Sequence, residues 1–200
     1  MARTITAQLF ASLDLVVEAP EAWHFRWVGD EMLAEVGREQ NEASALLLGR
    51  RTYEVFAESW PTRGAEVPLA AHLNSMQKLV VSDTLRSPTW HNTEVIRFDE
   101  LAALKEGEGG SITVAGSIRL IESLMADGLL DELRILSHPV VLGAGRRLFD
   151  TYAGPRVDFE LVDSRTLERG VQLTVHRPAP LARDRAGRDI RSQHPRSNLT

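Results

Sequence analysis

No cysteine occurs among the 200 residues. That absence removes disulfides, a thiol nucleophile, cysteine-ligated zinc and iron–sulfur centres together. No apolar run reaches the roughly 18 residues that a bilayer span needs. The opening stretch "MARTITAQLFASLD" lacks the apolar core and cleavage site of a secretory signal. These features point to a cytoplasmic protein with no membrane partner. Positive charge is not in excess either: the formal net charge is -5, which argues against a nucleic-acid partner. The six histidines (His24, His72, His91, His138, His176 and His194) show no metal-ligand spacing. Each reads as a surface or core-edge residue, and no resident metal is expected. Neither a G-x-S-x-G nucleophile elbow nor a Walker-type phosphate loop is present. "LGAGRRLF" begins a dinucleotide fingerprint with Gly143 and Gly145. Leu148 stands at the third glycine, however, and Pro155 arrives before a useful helix could form.

What remains is ordinary globular material. Hydrophobic residues make up 43% and charged residues 26%, which suits one domain with a substantial core. Thr4 to Phe10 alternates as a first strand. "VGDEMLAEVGREQNEA" carries Met32, Leu33 and Val36 at helical spacing, with Asp30 and Glu31 in the opening turn where the helix dipole favours acids. "SALLLGRRTYEVF" is a buried strand running into a helix. "VPLAAHLNSM" reads as a short helix, "KLVVSDTL" as a strand and turn, and "TEVIRF" as a short strand. Asp99 is placed to cap "ELAALKEG". "GGSITVAGS" is a strand ahead of the amphipathic "IRLIESLMADGLL", which Gly128 stops, and "DELRILSHPVVLGAG" reads as one long strand. "VDFELVDSRTLERGVQLTVHR" alternates on both sides of "LERG", a hairpin pattern. Helices alternate with strands to about residue 130 and strands dominate afterwards. The expected fold class is therefore α/β, a mainly parallel sheet with an antiparallel hairpin added at its end. Residues 1–177 form the expected domain, and the arginine-rich, apolar-poor residues 178–200 read as a disordered tail.

Three buried strands, in "ALLLGRRT", "LVVSDT" and "ITVAGS", end in small or hydroxylated residues. Ligands of open sheets bind beyond the carboxyl ends of the strands, where helix N-termini favour anions. Gly49 and Gly116 would admit close approach of a phosphate. Arg50 and Arg51 offer forked donors, while Thr52, Ser82 and Ser117 offer hydroxyls. A single glycine of this kind usually marks a turn, but three such ends in one chain favour a dinucleotide or similar polyanion. Trp23, Phe25, Trp27, Trp60 and Tyr53 could form a stacking wall for a flat ring, with core packing the better reading for Phe25 and Tyr53.

"SLD…E.P" near the start, "LLLGRRTYEVF", "KLVVSDTL", "ITVAGSIRLIESLMADGLLDELRILSHPVVLGAGRRLF" and the closing hairpin, in this order, resemble the dihydrofolate-reductase-like superfamily. The chain is most similar to the branch formed by the C-terminal reductase domain of riboflavin-biosynthesis deaminase–reductases and its stand-alone bacterial relatives. The resemblance covers about residues 3–177. It implies a mostly parallel central sheet of about eight strands with flanking helices, and NADPH bound across the strand ends. By the same resemblance, Gly49, Arg50, Arg51 and Thr52 form the turn that takes the pyrophosphate and 2′-phosphate, and Ser82, with Asp83 and Thr84 beside it, faces the adenosine ribose. Gly116, Ser117 and Ile118 form the turn beneath the phosphates and nicotinamide side. Leu142, Gly143 and Gly145 form the loop typical of this branch, and Asp14 lies in a loop that closes over the nicotinamide. The branch usually reads S-L-D-G, and Leu15 replaces that glycine. If the position needs a positive φ, Leu15 adopts it at a cost of about 1 kcal/mol or more.

The implied activity is hydride transfer from NADPH to a C=N or C=O carbon of a small heterocyclic substrate, with a proton from Asp30, Glu31 or an ordered water. No deaminase zinc signature precedes the reductase-like part, so the intact two-step enzyme is not expected. A homodimer is. The other functional class is a non-catalytic nucleotide- or flavin-binding protein that keeps the cofactor cradle.

Overall fold

The computed structural model describes residues 2–64, 67 and 69–179. The stretch read as a tail lies outside the described residues from residue 180 onward. Eight strands form one sheet: β1 (Ile5–Ser12), β2 (Ala43–Gly49), β3 (Gln77–Val81), β4 (Thr93–Ile96), β5 (Ser111–Ala115), β6 (Glu132–His138), β7 (Phe159–Thr166) and β8 (Gln172–Pro178). Their spatial order is β4-β3-β2-β5-β1-β6-β8-β7. The first six run parallel, β8 is antiparallel to β6, and β7 to β8. Among the described residues five α-helices flank the sheet: α1 (Asp30–Glu42), α2 (Arg50–Ser59), α3 (Ala70–Ser75), α4 (Leu101–Glu106) and α5 (Ile118–Ala126). This is the dihydrofolate-reductase-like arrangement that the resemblance implied.

Interior parallel strands are covered on both faces, so β2 reads as an unbroken apolar run, and Ala45 through Leu48 are wholly buried. One face forms a continuous core, with Ile5, Ala7 and Leu9 of β1 and Ile112 and Val114 of β5 beneath Ile121 and Leu124 of α5. The other face is split. Leu46, Leu48, Val80 and Trp90 form one cluster, while Trp27, Met32, Leu136 and Leu173 form another. Between them α1 lays a polar stripe on the sheet, because Glu35, Glu39 and Gln40 are buried there. The spacing of Met32, Leu33 and Val36 had suggested an apolar inner face. Only Met32 is fully inside, and Leu33 is exposed. The acids turn inward because the sheet offers partners: Arg165 of β7 holds Glu35 at 2.7 and 2.9 Å, and Thr113 of β5 donates to Glu39.

Other expectations shift locally. The strand read across "DELRILSHPVVLGAG" stops at His138, because Pro139 has no N–H for the ladder. Asp99 does not cap α4. It pairs with Arg97, and Glu100 accepts the Arg97 N–H instead. Gly128 does end α5, with φ of 68°. Lys78, wholly buried at the start of β3, donates to the carbonyls of Leu73 and Asn74 at the end of α3 and lies 4.5 Å from the Trp90 ring centre. Among the described residues no helix is long and apolar enough to cross a membrane.

Candidate functional site

All six parallel strands point their carboxyl ends to one edge, and β2 and β5 are neighbours there. At the end of β2 the chain passes Gly49 into α2. At the end of β5 it passes Gly116 and Ser117, both left-handed at φ of 66° and 61°, into α5. A single hydroxyl fastens the two turns. Ser117 Oγ accepts the Gly49 N–H at 2.7 Å and donates to Thr52 Oγ1 at 2.9 Å. Gly116 is therefore fixed by close approach as well as by φ, and Gly49, at φ of -79°, by close approach alone. A Cβ at Gly49 would sit 3.1 Å from Ser117 Oγ, and one at Gly116 3.3 Å from Thr52 Cγ2. Two helix N-termini are thus held side by side, with unpaired N–H groups and two partial positive charges facing outward.

The arginines differ. Arg50 reaches to the end of β3, donating to Thr84 Oγ1 at 2.7 Å, and also meets Glu54 at 3.2 Å. Arg51 is exposed and has no hydrogen-bond or ion-pair partner among the described residues. Ser82 uses its hydroxyl to shape its own turn, accepting from the N–H groups of Thr84 and Leu85 at 3.2 and 2.9 Å. The side chain of Ile118 enters the core, so only its backbone could meet a ligand.

Where β1 and β6 end, the same edge is built from side chains. Asp14 staples the loop after β1 to the loop after β6. Its carboxylate accepts from Ser12 Oγ at 2.7 Å, from the N–H groups of Leu142 and Gly143 at 3.0 and 2.9 Å, and from Arg147 at 3.3 Å. The Ser12 hydroxyl, followed by the backbone donors, holds its pKa well below the usual carboxylate range. Asp14 thus remains an anion that positions two loops and has no proton to give. Gly143 carries φ of 76°; at Gly145, φ is 110° and an added Cβ would lie 2.7 Å from Val16 Cγ1. Leu15 does take a left-handed φ, of 62°.

Asp30 and Glu31 begin α1 and are both exposed. Glu31 is tied to the β7–β8 turn, accepting the Glu168 N–H at 2.6 Å while its own N–H donates to Glu168 Oε1 at 2.9 Å. Two histidines that showed no ligand-type spacing come together instead. His138, at the end of β6 beside Ser12, is wholly buried. The rings of Phe10, Trp23, His24 and Trp27 approach it edge-on at 5.7, 5.2, 6.1 and 5.9 Å. Its Nδ1 donates to the Leu136 carbonyl at 2.9 Å, and Nε2 has no partner among the described residues. His24 is stacked on Phe10 at 4.9 Å and packed against Phe25 at 4.3 Å. Burial lowers the pKa of both histidines, so both are neutral rings. Phe25, read as core, is 62% exposed, as is Leu13, and Val141 is 67% exposed. Tyr53 is core, its hydroxyl accepting from Thr89 and Trp90. Nothing in a single sequence links His24 to His138, which lie on segments far apart in the chain.

The family model described as the RibD C-terminal domain matches residues 3–173. The protein named "Uncharacterized protein YyaP" from Bacillus subtilis (strain 168) is 30% identical over an alignment 144 residues long, which covers 68% of this chain and 75% of that one. Among solved structures, a putative riboflavin biosynthesis protein from Shewanella sp. PV-4 superposes with a TM-score of 0.67 at 17% identity, covering 90% of this chain and all of the other. The diaminohydroxyphosphoribosylaminopyrimidine deaminase/5-amino-6-(5-phosphoribosylamino)uracil reductase of Thermotoga maritima superposes at 0.62 and 14% identity. This chain covers 89% of its own length there, and 57% of the Thermotoga protein. At these identities the solved structures speak to fold alone.

Proposed function

The chain belongs to the RibD C-terminal domain family, and from that premise we propose that it is an NADPH-dependent reductase of a small, flat heterocycle carrying a C=N or C=O group. The observation that carries the reading is the fastened pair of helix N-termini beside an exposed Arg51 that has no partner among the described residues. The residues present fit the cofactor. Gly49, Gly116 and the first N–H groups of α2 and α5 would hold the pyrophosphate, and Arg51, with Arg50 and Thr52 beside it, would meet the 2′-phosphate. Ser82 and Thr84 would border the adenosine ribose. When bound, NADPH supplies the hydride.

The protein's own part is to place the acceptor and keep water out. Asp14 holds the loops that carry Leu13 and Val141, whose exposed apolar side chains would cover the nicotinamide end. His24 now stacks on Phe10; were it to swing out, a flat ring could take its place, and the buried His138 Nε2, unpartnered among the described residues, would accept a substrate N–H. Asp30, exposed at the head of α1, remains the nearest candidate to relay a proton from water; Glu31 is committed to the hairpin turn.

A second reading has support of its own. His24 stacks on Phe10 where a substrate ring would have to go, as it would in a protein that keeps the nucleotide cradle without turnover. The two are separated by following NADPH oxidation against a panel of pterins and ribitylamino-pyrimidinediones. Turnover on any of them establishes the reductase. Tight NADPH binding with no turnover on the whole panel leaves the binding protein. A homodimer completes the proposal, and light scattering at the 22.2 kDa monomer mass would overturn that part.

A further inference from the structure

The opposite end of the sheet, where the parallel strands begin, carries a second polar cavity. It has a volume of about 630 Å³ and lies between the C-terminal end of α1 and the first residues of β1, β5 and β6. Thr6 at this end and Ser12 at the other are separated along β1 by roughly 20 Å, at about 3.3 Å per residue, so the cavity is no part of the dinucleotide edge. Such a volume suits a small molecule.

Its charges are unequally matched. Arg134 and Arg177 line it, and both are held by Glu132, at 2.7 and 3.0 Å. Asp131 is held by Lys105 at 2.7 Å. Two lining carboxylates, Glu39 and Glu42, have no ion-pair partner among the described residues. Glu39 is only 5% exposed. Thr113 Oγ1 donates to its Oε1 at 2.5 Å, and Oε2 has no partner among the described residues. The unmet capacity of the cavity is therefore an acceptor, and the hydroxyls of Thr4 and Thr6 stand nearby on its wall.

We propose that this cavity is a second small-molecule site, which takes a compact cation bearing N–H donors, an alkylguanidinium or primary ammonium, on the Glu39 carboxylate. Glu42, three residues on along α1, provides the second charge at the mouth. Burial raises the pKa of Glu39 to about 7, against the Thr113 hydrogen bond and Arg134, which lower it, and with Glu132 and Glu42 adding to it. A bound cation favours the ionised form, so binding releases protons near neutrality and tightens as pH rises through 7.

The test is isothermal titration of the full chain with methylguanidinium chloride, with tetramethylammonium, which has no N–H, as control. Saturable methylguanidinium binding is expected. It should be several-fold tighter at pH 8 than at pH 6 and at least tenfold weaker in Glu39→Gln, and tetramethylammonium should not bind. No saturable binding between pH 6 and 8, equal binding in Glu39→Gln, or equal binding of tetramethylammonium each overturns the site. If Glu39→Gln does not fold, Glu42→Gln decides: several-fold weakening supports the site and unchanged affinity overturns it. None of these measurements involves NADPH, so the outcome stands apart from that of the reductase proposal.

Discussion

One edge of the sheet is built in two ways. Where β2, β3 and β5 end, the wall is backbone: two glycines, two helix N-termini, one shared hydroxyl and an exposed Arg51 with no partner among the described residues. Where β1 and β6 end, it is side chain, with a stapled Asp14, a Leu15 held against its preference and five packed rings. A backbone wall can be ready before a ligand arrives, because donors and dipoles are fixed by the helices that carry them. A side-chain wall fills itself, and admits a ligand only if something steps aside.

The largest expected effect breaks the backbone half. Arg51→Ala should weaken NADPH by ~10- to 100-fold, since a charged hydrogen bond is worth about 1.5–3 kcal/mol, and should leave NADH nearly unchanged. Equal losses for both cofactors would place Arg51 away from the 2′-phosphate. Next comes the staple: Gly145→Ala must bring a Cβ toward Val16 at a φ of 110°, and should destabilise the fold by about 1–3 kcal/mol, read as a lower denaturant midpoint. An unchanged midpoint would mean the loop can dock another way. His138→Phe conserves the ring and removes the Nε2 acceptor together with the Nδ1 bond to Leu136, so KM for the heterocycle should rise by up to about tenfold, the worth of one neutral hydrogen bond to substrate, while NADPH affinity holds. If cofactor binding fell equally, the two halves would not be separate. The smallest effect is Leu15→Gly, which relieves a left-handed φ at an exposed position. It should stabilise by at most about 1 kcal/mol, because glycine also loosens the unfolded chain.

The same contrast explains what the sequence revealed. Gly49, Gly116 and Ser117 were legible because a backbone site demands particular residue types at strand ends. The mainly parallel sheet and its closing antiparallel hairpin followed from alternation, the count of about eight strands came from the family resemblance, and the spatial order of the strands was not legible. The inward Glu35 and Glu39 of α1 were not legible, because their partners Arg165 and Thr113 come from strands far along the chain. For the same reason the ring cluster gave no signal: His24 and His138 meet only once β1 and β6 are adjacent. Asp14 was visible as a loop acid, but its four donors are contributed largely by a distant loop, so its fixed charge could not be seen beforehand.

Lys78 has a practical consequence. The chain holds only two lysines, Lys78 and Lys105; the second is engaged with Asp131, and the first is wholly enclosed between the end of α3 and Trp90. Enclosure lowers the Lys78 pKa to about 8 and at the same time shields the amine, which meets a reagent only when that corner opens and then reacts as an ordinary exposed lysine. An acylating reagent would then act as a clock. The rate at which the peptide bearing Lys78 gains mass would report how often the β3 side of the sheet breathes, with no engineered probe and almost no competing amines.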